Sequence, residues 1–196
     1  MGADRDLRIG VLALQGDVSE HVRAFDLALT AGLGEHAPVV PVRRAAELQA
    51  LDALAIPGGE STTISRLIAK NGLREPLVEF PGGIFATCAG MVLTAATVDD
   101  PRVDPLGLID IHVLRNAFGR QQESFEADLR IEGLTTPFHA VFIRAPVGDL
   151  PRPRAEVLGR LDEGIVAVRQ GPHLALSFHP ELGNDLRLHH LFIDRL

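Results

Sequence analysis

The chain has 196 residues, the length of one compact domain, since single domains cluster around ~100–200 residues. Its 46% hydrophobic and 23% charged residues match a soluble globular protein and exclude disorder and a collagen-like fibre. Nineteen Lys+Arg against 26 Asp+Glu leave a formal charge of −7, which excludes the basic footprint of a nucleic-acid-binding protein.

No apolar run reaches the ~20 residues of a membrane helix. The charged start, Met1–Arg8, leads straight into the short apolar stretch Ile9–Leu14, without the longer apolar core and small-residue cleavage site of a signal peptide. The expected location is the cytoplasm, with no membrane partner. Lys70 is the only lysine, in an expected surface helix, which argues against Schiff-base chemistry. A single cysteine, Cys88, excludes an intramolecular disulfide and a multi-cysteine zinc site.

Strand and helix alternate from the start. Arg8–Leu14 reads as a strand ending at Gln15-Gly16-Asp17. Asp17 or Ser19 can cap a following helix with Val22, Phe25 and Leu29 at helical spacing. Val39–Val42 and Leu51–Ile56 are further strands, the latter broken by Pro57-Gly58-Gly59, after which Ser61 and Thr62 cap a helix carrying Ile64, Leu67 and Ile68. Ile84–Thr87 is a short strand running into Cys88 and an Ala-rich helix, Ala89–Thr97. Units of roughly 30 residues in this order predict an α/β fold with a central parallel sheet. The second half changes character: Leu108–Leu114, Ser124–Ile131, Ala140–Ile143, Val157–Leu161, Ile165–Gln170 and Leu174–Phe178 read as short strands between Gly/Pro turns. A hairpin is expected around Asp162-Glu163-Gly164, and Asp185–Leu196 closes the chain as a helix. No repeat or compositional break marks a second domain, so residues 1–196 are expected to form one.

Ligands of open α/β sheets bind beyond the carboxyl ends of the strands, and three such ends carry unusual residues. In Ala86-Thr87-Cys88-Ala89-Gly90 a nucleophile sits between small residues at a strand-to-helix junction. That is the pattern of a nucleophile elbow, with the thiol at the positive end of a helix dipole. A buried structural cysteine opening a core helix fits the same motif. In Ser177-Phe178-His179-Pro180-Glu181 a carboxylate close behind an imidazole can accept its N–H and set its tautomer; an ordinary turn fits as well. Taken with Cys88, a Cys-His-Glu triad is the better reading. In Pro57-Gly58-Gly59-Glu60-Ser61 the glycines allow positive φ and can bring bare N–H groups against an oxyanion, although a plain helix-entry turn would look alike.

The elbow, the His-Pro-Glu segment and the Gly-Gly turn resemble those of class I (triad-type) glutamine amidotransferases. More specific are Leu14-Gln15-Gly16-Asp17 with Glu20-His21, Gly58-Gly59-Glu60-Ser61-Thr62-Thr63, Arg115-Asn116-Ala117-Phe118-Gly119-Arg120-Gln121, Ser124-Phe125-Glu126 and Phe142-Ile143-Arg144-Ala145-Pro146. In this order they resemble the PdxT/SNO family of glutaminase subunits of pyridoxal 5′-phosphate synthase, along nearly the whole chain. Ala86 departs from the glycine usual before Thr-Cys, and Gly32–Pro38 looks like a lengthened surface loop.

The resemblance implies a flavodoxin-like three-layer sandwich, a central mostly parallel sheet flanked by helices. It implies Cys88 as nucleophile, His179 as general base and acid, and Glu181 as the residue orienting His179. Gly59, Glu60, Ser61, Arg115, Ile143 and Arg144 would line the L-glutamine pocket, with Glu60 suited to the substrate ammonium and Arg115 to its carboxylate. The backbone N–H groups of Gly59 and Ala89 are oxyanion-hole candidates. The family works without metal or organic cofactor and delivers ammonia to a separate synthase subunit. A glutaminase for imidazole glycerol phosphate synthesis should lack the Arg115–Gln121 and Phe142–Pro146 segments. A DJ-1-like protein does not need the His-x-Glu, and a silent flavodoxin-like binding module would hydrolyse no glutamine.

Overall fold

The computed structural model describes residues 7–33, 38–115, 118, 124–149 and 154–196. In chain order the elements are β1 (Ile9–Leu12), α1 (Val18–Leu33), β2 (Val40–Val42), β3 (Ala53–Ile56), α2 (Ser61–Lys70), α3 (Arg74–Val78), β4 (Gly83–Thr87), α4 (Ala89–Thr94), β5 (Ala95–Val98) and β6 (Ile109–Leu114). They continue with β7 (Ser124–Leu129), β8 (Phe138–Ile143), β9 (Val147–Asp149), β10 (Glu156–Leu161), β11 (Gly164–Gln170), β12 (His173–Leu176) and α5 (Arg187–Ile193). Short 3₁₀ turns span Ala45–Ala50 and Pro180–Leu182.

The main sheet runs β2-β1-β3-β4-β12-β11-β9-β6-β5, with β10 paired to β11. Neighbours from β2 through β12 are parallel, whereas β12-β11, β11-β9 and β9-β6 are antiparallel. The residues dictate this division. β1, β3 and β4 are apolar apart from the Thr87 that ends β4, and they are buried along their whole length, as parallel strands covered on both faces must be. β6 alternates buried and half-buried positions, the mark of a strand with one face open. One layer packs Ile64, Ile68, Met91 and Leu93 against one face. Phe25, Leu29, Leu188 and Phe192 cover the other. This is the expected α/β sandwich. A separate ribbon, β7-β8, is seated by Phe125 stacked on Phe142 at 4.5 Å, with Phe142 packed in turn against Phe178.

Three expectations change. The Ala-rich helix stops at Thr94 rather than Thr97, and Ala95–Val98 becomes β5 beside β6. Alanine favours helix by less than about 1 kcal/mol per residue. Here the carbonyls of Thr94 and Ala95 instead accept the N–H groups of Leu108 and Gly107. Ser61 is the first helical residue of α2 rather than its cap; Glu60 holds the cap position without a side-chain hydrogen bond. The closing helix is shorter than Asp185–Leu196, because the Asp185 carboxylate accepts the N–H and guanidinium of Arg187 ahead of the first turn. The hairpin forms as expected, pairing Leu161 with Gly164. Parts of the expected loop Gly32–Pro38 and of the Arg115–Gln121 segment lie outside the described residues.

Helix α5 buries His189 completely, stacked on Phe85 at 5.0 Å, and neither ring nitrogen has a hydrogen-bond partner. Burial, reinforced by His21, pushes the imidazole down from 6.5 to about 3. The unfolded chain therefore binds this proton first as pH falls, so stability declines from about pH 6.5 toward about pH 3. His189→Leu should remove this part of the acid sensitivity. Urea midpoints at pH 7 and pH 5 should lie closer together in the variant than in the parent; an unchanged gap would show that His189 does not set it.

Candidate functional site

The site lies at the carboxyl ends of β3, β4 and β12, where Gly58-Gly59, Cys88 and His179 meet. Cys88 follows β4 with φ 47° and ψ −104°, a strained conformation for a non-glycine residue. Its N–H is held by the carbonyl of Leu176 at 2.8 Å. The elbow needs Gly90 because a Cβ there would stand 2.2 Å from the carbonyl oxygen of Ile56. Ala86, the departure noted in the sequence, is fully buried, and its methyl lies 3.2 Å from where that Cβ would be. The sharp turn is thus accommodated by Gly90, and Ala86 fills the core beneath it.

His179 is fixed from the opposite side. Its N–H donates to the carbonyl of Val141 at 2.9 Å, which ties it to β8, and Pro180 starts the 3₁₀ turn that folds Glu181 back beneath the ring. Glu181 Oε1 lies 2.7 Å from His179 Nδ1. A proton on Nδ1 leaves Nε2 as the nitrogen for Cys88. Burial would lower His179, but hydrogen bonds to Cys88 and Glu181, with their negative charge, raise it to about 10. Burial likewise opposes ionisation of Glu181, yet the attraction of His21 and the hydrogen bonds from His179 and His21 hold it below the usual carboxylate range. The Cys88 thiol also lies 3.8 Å from the carbonyl oxygen of Ile143.

The Gly58-Gly59 turn is wedged between these groups and the loop after β1. Gly59 has φ 149°, open only to glycine at low cost, and a Cβ there would sit 2.6 Å from Gln15 Oε1. Gly58 is constrained by space: its Cβ would stand 2.4 Å from His179 Cε1. The Gly58 carbonyl accepts the N–H of Asp17 at 3.2 Å, its N–H donates to Thr87 Oγ1 at 3.1 Å, and Gln15 Oε1 accepts the N–H of Glu60 at 2.8 Å.

A cavity of about 320 Å³ opens over Cys88, within the ~300–1,000 Å³ of ligand pockets. Its wall includes Gly59, Glu60, Ser61, Cys88, Ala89, Arg115, Ile143, Arg144 and His179. Every candidate residue read from the sequence is therefore brought to one place, except that Glu181 lies buried behind His179. The wall also takes in Gln15, Gly16, Asp17 and Pro146, which lie in the sequence motifs without an assigned pocket role, and Val92, which no motif marked. Glu60 and Arg115 do not stand apart for opposite ends of a substrate. They pair at 2.9 Å, and Arg115 also contacts Asp100, which Arg102 holds at 2.6 Å. Arg144 has φ 44°, a second strained backbone at the rim. Ligand atoms of Asp17, His179 and Glu181 lie within 4.8 Å of one another and could hold a cation, but the His179–Glu181 hydrogen bond already uses the Nδ1 position.

A profile of the SNO glutamine amidotransferase family matches residues 11–196. A protein named pyridoxal 5′-phosphate synthase subunit PdxT from Methanosphaerula palustris is 64% identical over 97% of this chain and 98% of its own length. One with the same name from Methanoculleus marisnigri is 63% identical over 97% and 98%. A crystal structure titled glutamine amidotransferase superposes with a TM-score of 0.83 at 46% identity, covering 95% of this chain and 97% of that one. Among the described residues no helix is long and apolar enough to cross a membrane.

Proposed function

The chain belongs to the SNO glutamine amidotransferase family, and from that membership we propose that it is the glutaminase subunit of a pyridoxal 5′-phosphate synthase. As one domain spanning residues 1–196, it hydrolyses L-glutamine to L-glutamate and ammonia and passes the ammonia to a separate synthase subunit. The observation that carries the assignment of the site is the strained Cys88 facing a His179–Glu181 pair at 2.7 Å, in one cavity with Glu60 and Arg115. A thiol nucleophile that must stay reduced fits a cytoplasmic protein.

The chemistry follows from the geometry. The Cys88 thiolate attacks the side-chain carbonyl carbon of glutamine, and the oxygen takes up the negative charge. The N–H groups of Gly59 and Ala89 receive that oxyanion, and Glu60, Ser61, Arg115, Ile143 and Arg144 hold the substrate. Formation of the new bond consumes the thiolate, and with it the hydrogen bond and charge that raise His179. Burial is then opposed by Glu181 alone, so the imidazolium becomes a stronger acid when the leaving nitrogen needs its proton. Ammonia departs, leaving a glutamyl thioester. His179 next takes a proton from water, the hydroxide adds to the thioester, and collapse expels the Cys88 thiolate and releases glutamate. Glu181 keeps Nδ1 protonated throughout.

The test measures glutamate release with and without synthase subunits. Ammonia made without an acceptor is wasted, so the rate should be at least about tenfold higher in the complex, which corresponds to about 1.4 kcal/mol of barrier lowering. The chain contains no Trp or Tyr, so tryptophan fluorescence in the same titration reports on the partner alone. No glutamate in either case would defeat the glutaminase reading; equal rates would defeat the coupling.

A further inference from the structure

His21 is completely buried in the first turns of α1, and its Nε2 lies 3.4 Å from Glu181 Oε1 and 2.9 Å from Thr87 Oγ1. Two partnerless atoms define its state. Glu181 Oε2 has no hydrogen-bond partner, so the groups that hold this buried carboxylate do so through Oε1: His179 Nδ1 and His21 Nε2. His21 Nδ1 is also without a partner. An orphaned N–H deep in the core costs more than an orphaned lone pair, and a lone pair on Nε2 would face the carboxylate. The proton therefore belongs on Nε2, shared between Glu181 and Thr87. Thr87 Oγ1 then accepts twice, from His21 and from the N–H of Gly58.

These contacts form one chain: His179, Glu181, His21, Thr87, Gly58. It returns on itself, because Gly58 packs against the His179 ring. We propose that His21 is a positioning residue of the glutaminase, anchoring the Glu181 carboxylate behind the base and, through Thr87, tying the base to the Gly58-Gly59 turn. This rests on the assignment of His179 and Glu181 as base and orienting carboxylate. The ionisable groups that act on the pair are His179, Asp17 before α1 and His189 from α5, and Glu20 within α1 acts in turn on Asp17. Of these, His179 shares Oε1 with His21. Without the His21 donor, Glu181 protonates more readily and the acidic limb of the rate profile moves to higher pH.

The experiment follows glutamate release by the complex with the synthase subunit, against glutamine concentration and pH. His21→Leu should lower kcat about tenfold or more, the effect of one lost buried hydrogen bond, with KM within about threefold and the acidic limb displaced upward. Thr87→Val should lower kcat similarly, and Thr87→Ser, which keeps the hydroxyl, should stay within about threefold of the parent. Because part of the His21 effect runs through Glu181, the loss in the double variant His21→Leu/Glu181→Gln should be smaller than the product of the two single losses. A cooperatively melting His21→Leu protein with parental kcat and acidic limb overturns the proposal, as do losses that multiply in the double variant. Should His21→Leu not fold, Thr87→Val decides, and parental kcat there overturns the proposal. Cys88→Ala and Glu181→Gln run alongside: if both stay active the assignment of the site fails, and if both are impaired while His21→Leu is not, only this inference fails.

Discussion

Cys88→Ala should abolish glutamine hydrolysis, with a loss of about 10⁴-fold or more, because no second thiol exists to take over. His179→Asn should lose as much. The two groups act as one unit: Cys88 and Glu181 together keep the proton on a ring that burial would otherwise strip. Removing either leaves the other without its function, and the double variant should be no worse than either single one. Glu181→Gln should lose less, since a carboxamide oxygen can still accept from Nδ1 without supplying the charge. The assay is steady-state glutamate release in the presence of the synthase subunit, with a glutamine-analogue electrophile as a second readout of the thiol. Parent protein should be labelled once per chain, at Cys88, in step with loss of activity. Substantial turnover by Cys88→Ala would sink the covalent mechanism. A loss in Glu181→Gln equal to that in His179→Asn would give Glu181 a role beyond orienting the base.

What the sequence made legible was what lies close along the chain. The elbow could be read because Cys88 sits between small residues at a strand end. The His179–Glu181 pair could be read because Pro180 leaves the two side chains few ways to avoid each other. The parallel half of the sheet showed as apolar runs, and the hairpin as a turn flanked by β-forming residues. Contacts across the fold were not legible. His21 and Thr87 are 66 residues apart, and nothing in either segment announces their hydrogen bond. Asp100 gave no signal as the partner of Arg115, nor Gln15 Oε1 as the acceptor for Glu60. The overextended Ala-rich helix is the same lesson in reverse: local preference for helix at Ala95 and Ala96 yields to an edge of β6 that only the tertiary structure supplies.

The Gly58-Gly59 turn should be the other point of greatest sensitivity, and its two glycines should fail for different reasons. Gly59 holds φ 149°, and a methyl there would sit 2.6 Å from the Gln15 oxygen that anchors the next N–H. Alanine must therefore turn the 58–59 peptide. That peptide is now set by its carbonyl, which accepts from Asp17, so its N–H points to the opposite side. If that N–H is an oxyanion donor, Gly59→Ala should cost about 10²–10³-fold in kcat, the usual value of one such donor. Gly58→Ala strains no backbone angle, but its methyl would meet His179 Cε1 at 2.4 Å and displace the base. Iodoacetamide separates the two, because it needs the activated thiol and no oxyanion hole. Gly59→Ala should be alkylated at Cys88 at nearly the parental rate while hydrolysing glutamine slowly. Gly58→Ala should be slow in both reactions, since the thiol loses its imidazole partner. Gly59→Ala turning over glutamine within about threefold of the parent would remove Gly59 from the oxyanion hole, and parental alkylation of Gly58→Ala would show that His179 tolerates the methyl.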